Sequence, residues 1–179
     1  MPGRVAKAGP RHRKGLRRRP RGPIRSPLNT PTEQDWGDYK DGLDAEWAHK
    51  NFYGKSLEQA LELFAENALY YQEDLGYMAA VPFRFYLSAF IRYLLSEQSK
   101  GDSDGAATYL ELIIRKLDEE PKTVEPLIDD VLACAERVAS SQAFYDADVA
   151  IYGVFAQQYQ RITELCNMRM VTVQSPGPF

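Results

Sequence analysis

The sequence predicts an all-α fold: a single compact bundle of five or six helices with a disordered basic N-terminal arm. Three observations carry this reading. Apolar residues recur with the helical period in at least four segments. Capping residues, Pro and Gly punctuate those segments where helices start and stop. No alternating strand pattern is longer than the weak one at 168–173, and no repeat recurs at a fixed period.

Charge and composition set the boundaries. Residues 1–32 hold ten Lys/Arg and no acid, with Pro and Gly recurring throughout. Such a stretch lacks the apolar side chains needed to offset the entropy of ordering a chain, so a disordered arm is expected. Residues 33–179 carry 25 acidic and 12 basic residues, a net charge of −13. The whole-chain charge of −3 therefore hides two opposed parts. Residues 33–167 are long enough for one core and form the expected all-α domain. Residues 168–179 read as a tail.

The elements follow in order. Residues 33–47 are acidic and hold both Trp, so Trp36 and Trp47 are expected to pack down on the body, with a short helix near Asp44–Asn51. Ser56 with Gln59 reads as a capping box, and Leu57, Ala60, Leu61 and Phe64 then recur at helical spacing. Asn67 is a stop signal, with a short helix from Leu69 to about Leu75. Pro82 suits the first turn of the next helix, where its missing N–H costs nothing. That helix is expected to run to about Glu97. Its only polar stripe is Arg84, Ser88 and Arg92, which places it at the bundle centre. Asp102, Ser103 or Asp104 can cap a helix to about Leu117. Pro121 ends it, and Thr123 is expected to cap the next, with Leu127, Val131, Leu132, Ala135 and Val138 inside. The last helix is expected to start near Asp146 and to align Tyr152, Phe155, Tyr159, Ile162 and Cys166.

Several function classes lose their residues. Cys134 and Cys166 make neither a disulfide framework nor a metal motif, and point to buried thiols in a reducing compartment. With His12 in the arm, His49 is alone in the body, which removes a two-His metal site. Phosphate loops, G-x-S-x-G, G-x-G-x-x-G and H-E-x-x-H are absent. Lys100 to Glu111 resembles a calcium loop at Asp102, Asp104, Gly105 and Glu111, but Lys100 stands where the ion needs a carboxylate. Helix capping explains the same aspartates. Residues 76–95 are long enough to span a bilayer, yet each Arg near its centre costs about 2.5–3.5 kcal/mol. A buried helix is expected there, and no membrane partner. The basic N-terminus has no apolar stretch after it to make a secretory signal.

Two groups remain as candidates. Tyr71, Glu73, Asp74, Arg84 and Arg92 could converge beside the central helix. A carboxylate–guanidinium network would orient two helices, and the same groups could bind an anion or move a proton. In the arm, Arg13, Lys14, Arg17, Arg18 and Arg19 form the densest cluster and the electrostatic footprint of nucleic-acid binding. Against that, no aromatic sits between the charges to stack on bases, and an unselected extension encoded by GC-rich codons would have the same composition.

The segments Phe52-Tyr-Gly-Lys55, Tyr70-Tyr-Gln-Glu-Asp-Leu75 and Phe83 to Ala89 match the patterns F-x-G-K, Y-Y-x-E-D-L and F-x-x-Y-L-x-A. On these the chain resembles an uncharacterised bacterial protein family, over about Phe52 to Leu117. Ser88 stands where those proteins carry Pro. The resemblance implies bacterial origin, a cytoplasmic location and an all-α fold, and it assigns no role to any residue.

The expected function is a non-enzymatic, cytoplasmic protein-interaction, regulatory or immunity-type module without cofactor or metal. The acidic body would attract a basic protein partner. The alternatives are nucleic-acid association through the arm and an enzyme with a carboxylate/Arg pocket at Glu73, Asp74 and Arg84.

Overall fold

The computed structural model describes residues 29–173, with side chains to Met168. The expected arm, except for residues 29–32, and residues 174–179 lie outside the described residues. So do Arg13, Lys14, Arg17, Arg18 and Arg19. The described part is all-α. Two short 3-10 turns at Glu33–Trp36 and Tyr39–Asp41 lead into α1 (Leu43–Phe52), α2 (Leu57–Gly76), α3 (Ala80–Leu94) and α4 (Ser103–Glu119). A one-turn α5 (Pro121–Val124), α6 (Ile128–Ser140), a one-turn α7 (Val149–Tyr152) and α8 (Phe155–Val173) complete it.

The start of α2 follows its cap. Ser56 accepts a hydrogen bond from the Gln59 N–H at 3.3 Å, and Gln59 Oε1 accepts one from the Ser56 N–H at 2.9 Å. The expected stop at Asn67 is a kink rather than a break. Asn67 has non-helical φ −159° and ψ 85°, and its Oδ1 accepts from the Tyr70 N–H at 3.0 Å. It thus caps the second half of α2 from inside the helix.

α3 is the centre, as its sequence requires. Phe90 and Ile91 are buried, and so is Ser88, whose hydroxyl donates to the Arg84 carbonyl at 3.0 Å. The helix ends at Leu94, three residues short of expectation, because Ser96 caps a separate 3-10 turn at Glu97–Ser99. Three buried tyrosines then tie elements together through main-chain carbonyls. Tyr86 donates to Phe52 O at 2.5 Å, Tyr109 to Val131 O at 3.0 Å, and Tyr145 to Leu94 O at 2.8 Å. Tyr93 donates to Asp102 Oδ2 at 2.8 Å, while Asp102 Oδ1 accepts the Gly105 N–H at 2.9 Å and so caps α4.

α2 and α4 run side by side in the same direction. Ala68 faces Gly105, where an added Cβ would lie 2.9 Å from the Ala68 methyl, and further along Gly76 faces Arg115. α8 closes the bundle against α4 and α6.

Four expectations are corrected. Trp36 is buried, but Trp47 is 49% exposed with the Lys50 ammonium 4.1 Å above its ring. Ala48 and Phe52, one turn apart, already take the inward face of α1. Thr123 caps nothing: Pro121 opens α5 and carries Thr123 inside it, so α6 starts at Ile128. The last helix starts at Phe155 rather than Asp146. Asp146 sits at φ 52° and Gly153 at φ 71°, and the two isolate α7 between them. Residues 168–173 continue that helix rather than beginning a tail.

Candidate functional site

The α2–α4 pair encloses an open polar groove of about 410 Å³. α2 and its C-cap supply Gln72, Glu73 and Tyr77, one turn apart. α4 supplies Thr108, Glu111, Leu112 and Arg115, the i, i+3, i+4, i+7 face of that helix. Both walls therefore follow from helical spacing once the two helices lie parallel.

The lining groups differ in how they are committed. Thr108 donates its hydroxyl to the Asp104 carbonyl at 2.8 Å. The Arg115 guanidinium lies over Gly76, where a Cβ would come within 2.5 Å of Nη2. Gly76 is the last residue of α2, where the helix dipole favours a cation. Glu73 and Glu111 are exposed to the groove, and neither lies within 4.0 Å of a basic group among the described residues. Gln72 is only 8% exposed, and its amide makes no hydrogen bond among the described residues. It lines the groove, and the buried side-chain polar atoms left without a partner among the described residues, Trp36 Nε1 and Gln158 Oε1, lie elsewhere. Tyr77 stands at the rim with 53% of its surface exposed.

The five residues expected to converge do not meet. Glu73 and Asp74 are adjacent on α2 and so point about 100° apart around the helix axis. Glu73 faces the groove. Asp74 faces α1, where its Oδ2 accepts from the Asn51 amide at 2.8 Å. Burial raises the Asp74 carboxyl above the usual carboxylate range, the Asn51 bond opposes this, and Glu73 and Asp44 add to the rise. Tyr71 packs edge-on against Phe52 at 6.0 Å and Tyr70 at 4.9 Å, and burial raises its phenol. Arg92 lies 3.9 Å from Glu58 at the start of α2, and Arg84 is half-buried on α3. A carboxylate–guanidinium junction joining Glu73 and Asp74 to the two arginines is therefore replaced by separate local contacts.

A second cluster escaped the sequence. Glu33 Oε1 accepts from the Tyr39 hydroxyl at 2.6 Å, and Glu33 Oε2 lies 3.0 Å from His49 Nε2. The His49 ring is sandwiched between Tyr39 at 3.8 Å and Tyr53 at 4.6 Å, with Trp36 edge-on at 5.0 Å. The hydrogen bond to Glu33 pushes the Tyr39 phenol up to about 12. The aromatic density of residues 36–53 was the available signal. The cluster is filled by its own side chains and fastens the first turns to α1.

Burial pushes the Cys134 thiol up to about 12, which makes it inert. Asp102 and Asp104, the two aspartates of the calcium-like stretch, are engaged by Tyr93 and Tyr152 at 2.8 and 2.7 Å. Among the described residues no three metal-ligating side chains converge, and no helix is long and apolar enough to cross a membrane. Comparison with family models, with curated proteins and with solved structures finds no match.

Proposed function

We propose that this chain is a non-enzymatic, cytoplasmic interaction protein of regulatory or immunity type that binds a basic protein partner. One observation carries the reading: 21 of the 25 acidic residues, all of which fall between Glu33 and Glu164, are exposed on the folded body. A helical surface with a large excess of one sign steers an oppositely charged partner and speeds encounter, an effect that salt weakens. Glu73 and Asp74 face different neighbours, which leaves the carboxylate/Arg enzyme reading without an assembled constellation.

The test titrates the full chain at ~50 mM salt, where phosphate contacts are strong, with an octa-arginine peptide and separately with duplex DNA. Saturable peptide binding that weakens with added salt, without DNA retardation, supports the proposal. DNA retardation without peptide binding would transfer the function to the basic arm.

A further inference from the structure

We propose that the outer face of α1 is the seat of this chain's own basic arm, with the segment Arg13–Arg19 lying across Leu43, Glu46 and Trp47. Seated there, the arm competes in cis with the basic protein partner. The inference therefore rests on the interaction reading above and supplies its control.

Only one side of α1 is packed. Its inward face is closed by Ala48 and Phe52, both fully buried. Its outward stripe is Leu43, Glu46, Trp47 and Lys50, at i, i+3, i+4 and i+7. Leu43 is 77% exposed and Trp47 49%. Single exposed apolar side chains are ordinary, but these two stand one turn apart on one stripe. Asp38, Asp41, Asp44 and Glu46 accompany them, all exposed, and none lies within 4.0 Å of a basic group among the described residues. The two lysines of the same stretch sit over rings instead: Lys40 is 5.5 Å from the Tyr39 centroid and Lys50 4.1 Å from that of Trp47. The Trp47 ring thus already attracts a cation to its face.

The occupant follows from charge, composition and reach. Residues 1–32 carry ten Lys/Arg and no acid, against a net charge of −13 for residues 33–179. Arg13, Lys14, Arg17, Arg18 and Arg19 bracket Leu16. One segment therefore offers guanidinium groups to the carboxylates and the indole, and an apolar side chain to Leu43. The described chain begins at Asn29, and the two turns that follow lead straight into α1. The ten residues between Arg19 and Asn29 span at most about 33–36 Å. That exceeds twice the length of the ten-residue α1, roughly 15 Å. A leash of that length gives an effective concentration on the order of millimolar. Contacts as modest as exposed ion pairs then suffice to seat the arm.

The experiment compares backbone amide NMR spectra of the full chain and its full-length Arg17→Gln/Arg18→Gln/Arg19→Gln variant at ~50 mM salt, where exposed charges are weakly screened. Arg4→Gln/Lys7→Gln/Arg11→Gln is the charge-matched control. The first variant should shift body resonances only at residues 38–50, and the control should shift them less. The difference should vanish at ~1 M salt, where the Debye length is about 3 Å. The mirror variant Glu46→Gln/Trp47→Ala should move the resonances of residues 13–19 and leave those of α3 in place. In an octa-arginine titration the first variant should bind about three- to tenfold more tightly than the parent, the effect of freeing three exposed ion pairs. The control should stay near the parent. Absence of shifts at 38–50 overturns the seat, and so do equal effects of the two triple variants, which would mean that net charge alone acts. Shifts that grow with protein concentration put the arm on a second copy and overturn the arrangement in cis. If octa-arginine binds parent and variants equally, the competition fails and the interaction reading stands. If octa-arginine binds none of them while the shifts at 38–50 appear, the seat stands and the interaction reading falls.

Discussion

Removing the amide that faces Asp74 separates a structural carboxylate from a functional one. Asp74 is 8% exposed, and Asn51 donates to it at 2.8 Å. Asn51→Ala leaves this carboxylate without that donor. Losing a hydrogen bond to a charged, buried acceptor costs about 1.5–3 kcal/mol. Ala is also the better helix former, by up to about 0.7 kcal/mol, which offsets part of the loss. The expected net destabilisation at pH 7 is therefore roughly 1–2.5 kcal/mol. Its pH dependence has a definite sign. The folded-state pKa of Asp74 is already raised by burial, and removing Asn51, the one hydrogen bond that opposes the rise, raises it further. A raised carboxylate is destabilising once pH passes from its unfolded value through its folded value. The difference between variant and parent should thus shrink as pH falls toward about 3.9, where the unfolded carboxyl is itself half protonated. Urea denaturation of both proteins at pH 7 and pH 4 measures this difference, with unchanged slope showing that the same surface unfolds. A cost below about 0.5 kcal/mol at pH 7, or one that grows on acidification, would refute the reasoning. The companion Asp74→Asn keeps the contact and removes the charge, so it should match or exceed the parent in stability at pH 7. Marked destabilisation would show that the charge itself is required.

Tyr109→Phe strips the buried hydroxyl from Val131 O and should lower stability by about 1–3 kcal/mol with the fold intact, read by thermal melting. Gly76→Ala should leave stability unchanged or raise it by up to about 1 kcal/mol, because only the flexible tip of Arg115 must move. The groove resonances of residues 72–77 and 108–115 should nonetheless shift. Glu33 is held below the ordinary value of 4.5 by the Tyr39 hydroxyl and by His49. Its contribution is present above that value and lost as pH falls through the lowered one, so acidification below about pH 4.5 should release Trp36 and change its fluorescence, and Glu33→Gln should flatten the response. At pH 8 a thiol alkylating reagent should modify the half-buried Cys166 and leave Cys134 unlabelled until the protein unfolds.

Local rules carried the sequence reading as far as local rules reach. The Ser56–Gln59 box, the Asp102 cap and the apolar circumference of α3 are statements about neighbours within two turns, and each describes the folded protein. Trp47 was misplaced because a count of aromatics says nothing about which angular position of α1 faces inward; Ala48 and Phe52 decide that. The start of the last helix falls at Phe155 rather than Asp146 because Asp146 adopts a left-handed backbone that its identity permits but does not announce. The groove was half legible. Glu73 stands beside Asp74 in a legible acidic pair, whereas Glu111 reads as the end of an ill-fitting calcium loop and Gln72 carries no local signal. Residues 72–77 and 108–115 meet only because α2 and α4 lie parallel, and helical period carries no information about which helices become neighbours. The Glu33–His49–Tyr39 cluster shares that obstacle, since its members are brought together by the fold of the first turns onto α1.

The contact between Ala68 and Gly105 acts as a spacer gauge. With an added Cβ already at 2.9 Å from the alanine methyl, the separation of α2 and α4 at that level is set by the Gly105 backbone against the Ala68 methyl rather than by long, compressible side chains. Substitutions on the groove's walls can therefore alter the chemistry of its lining, but not how wide it is. Any larger residue at position 105 would splay the helices and change the calibre of the whole channel at once. The lining can change one side chain at a time, while the width changes only in a step.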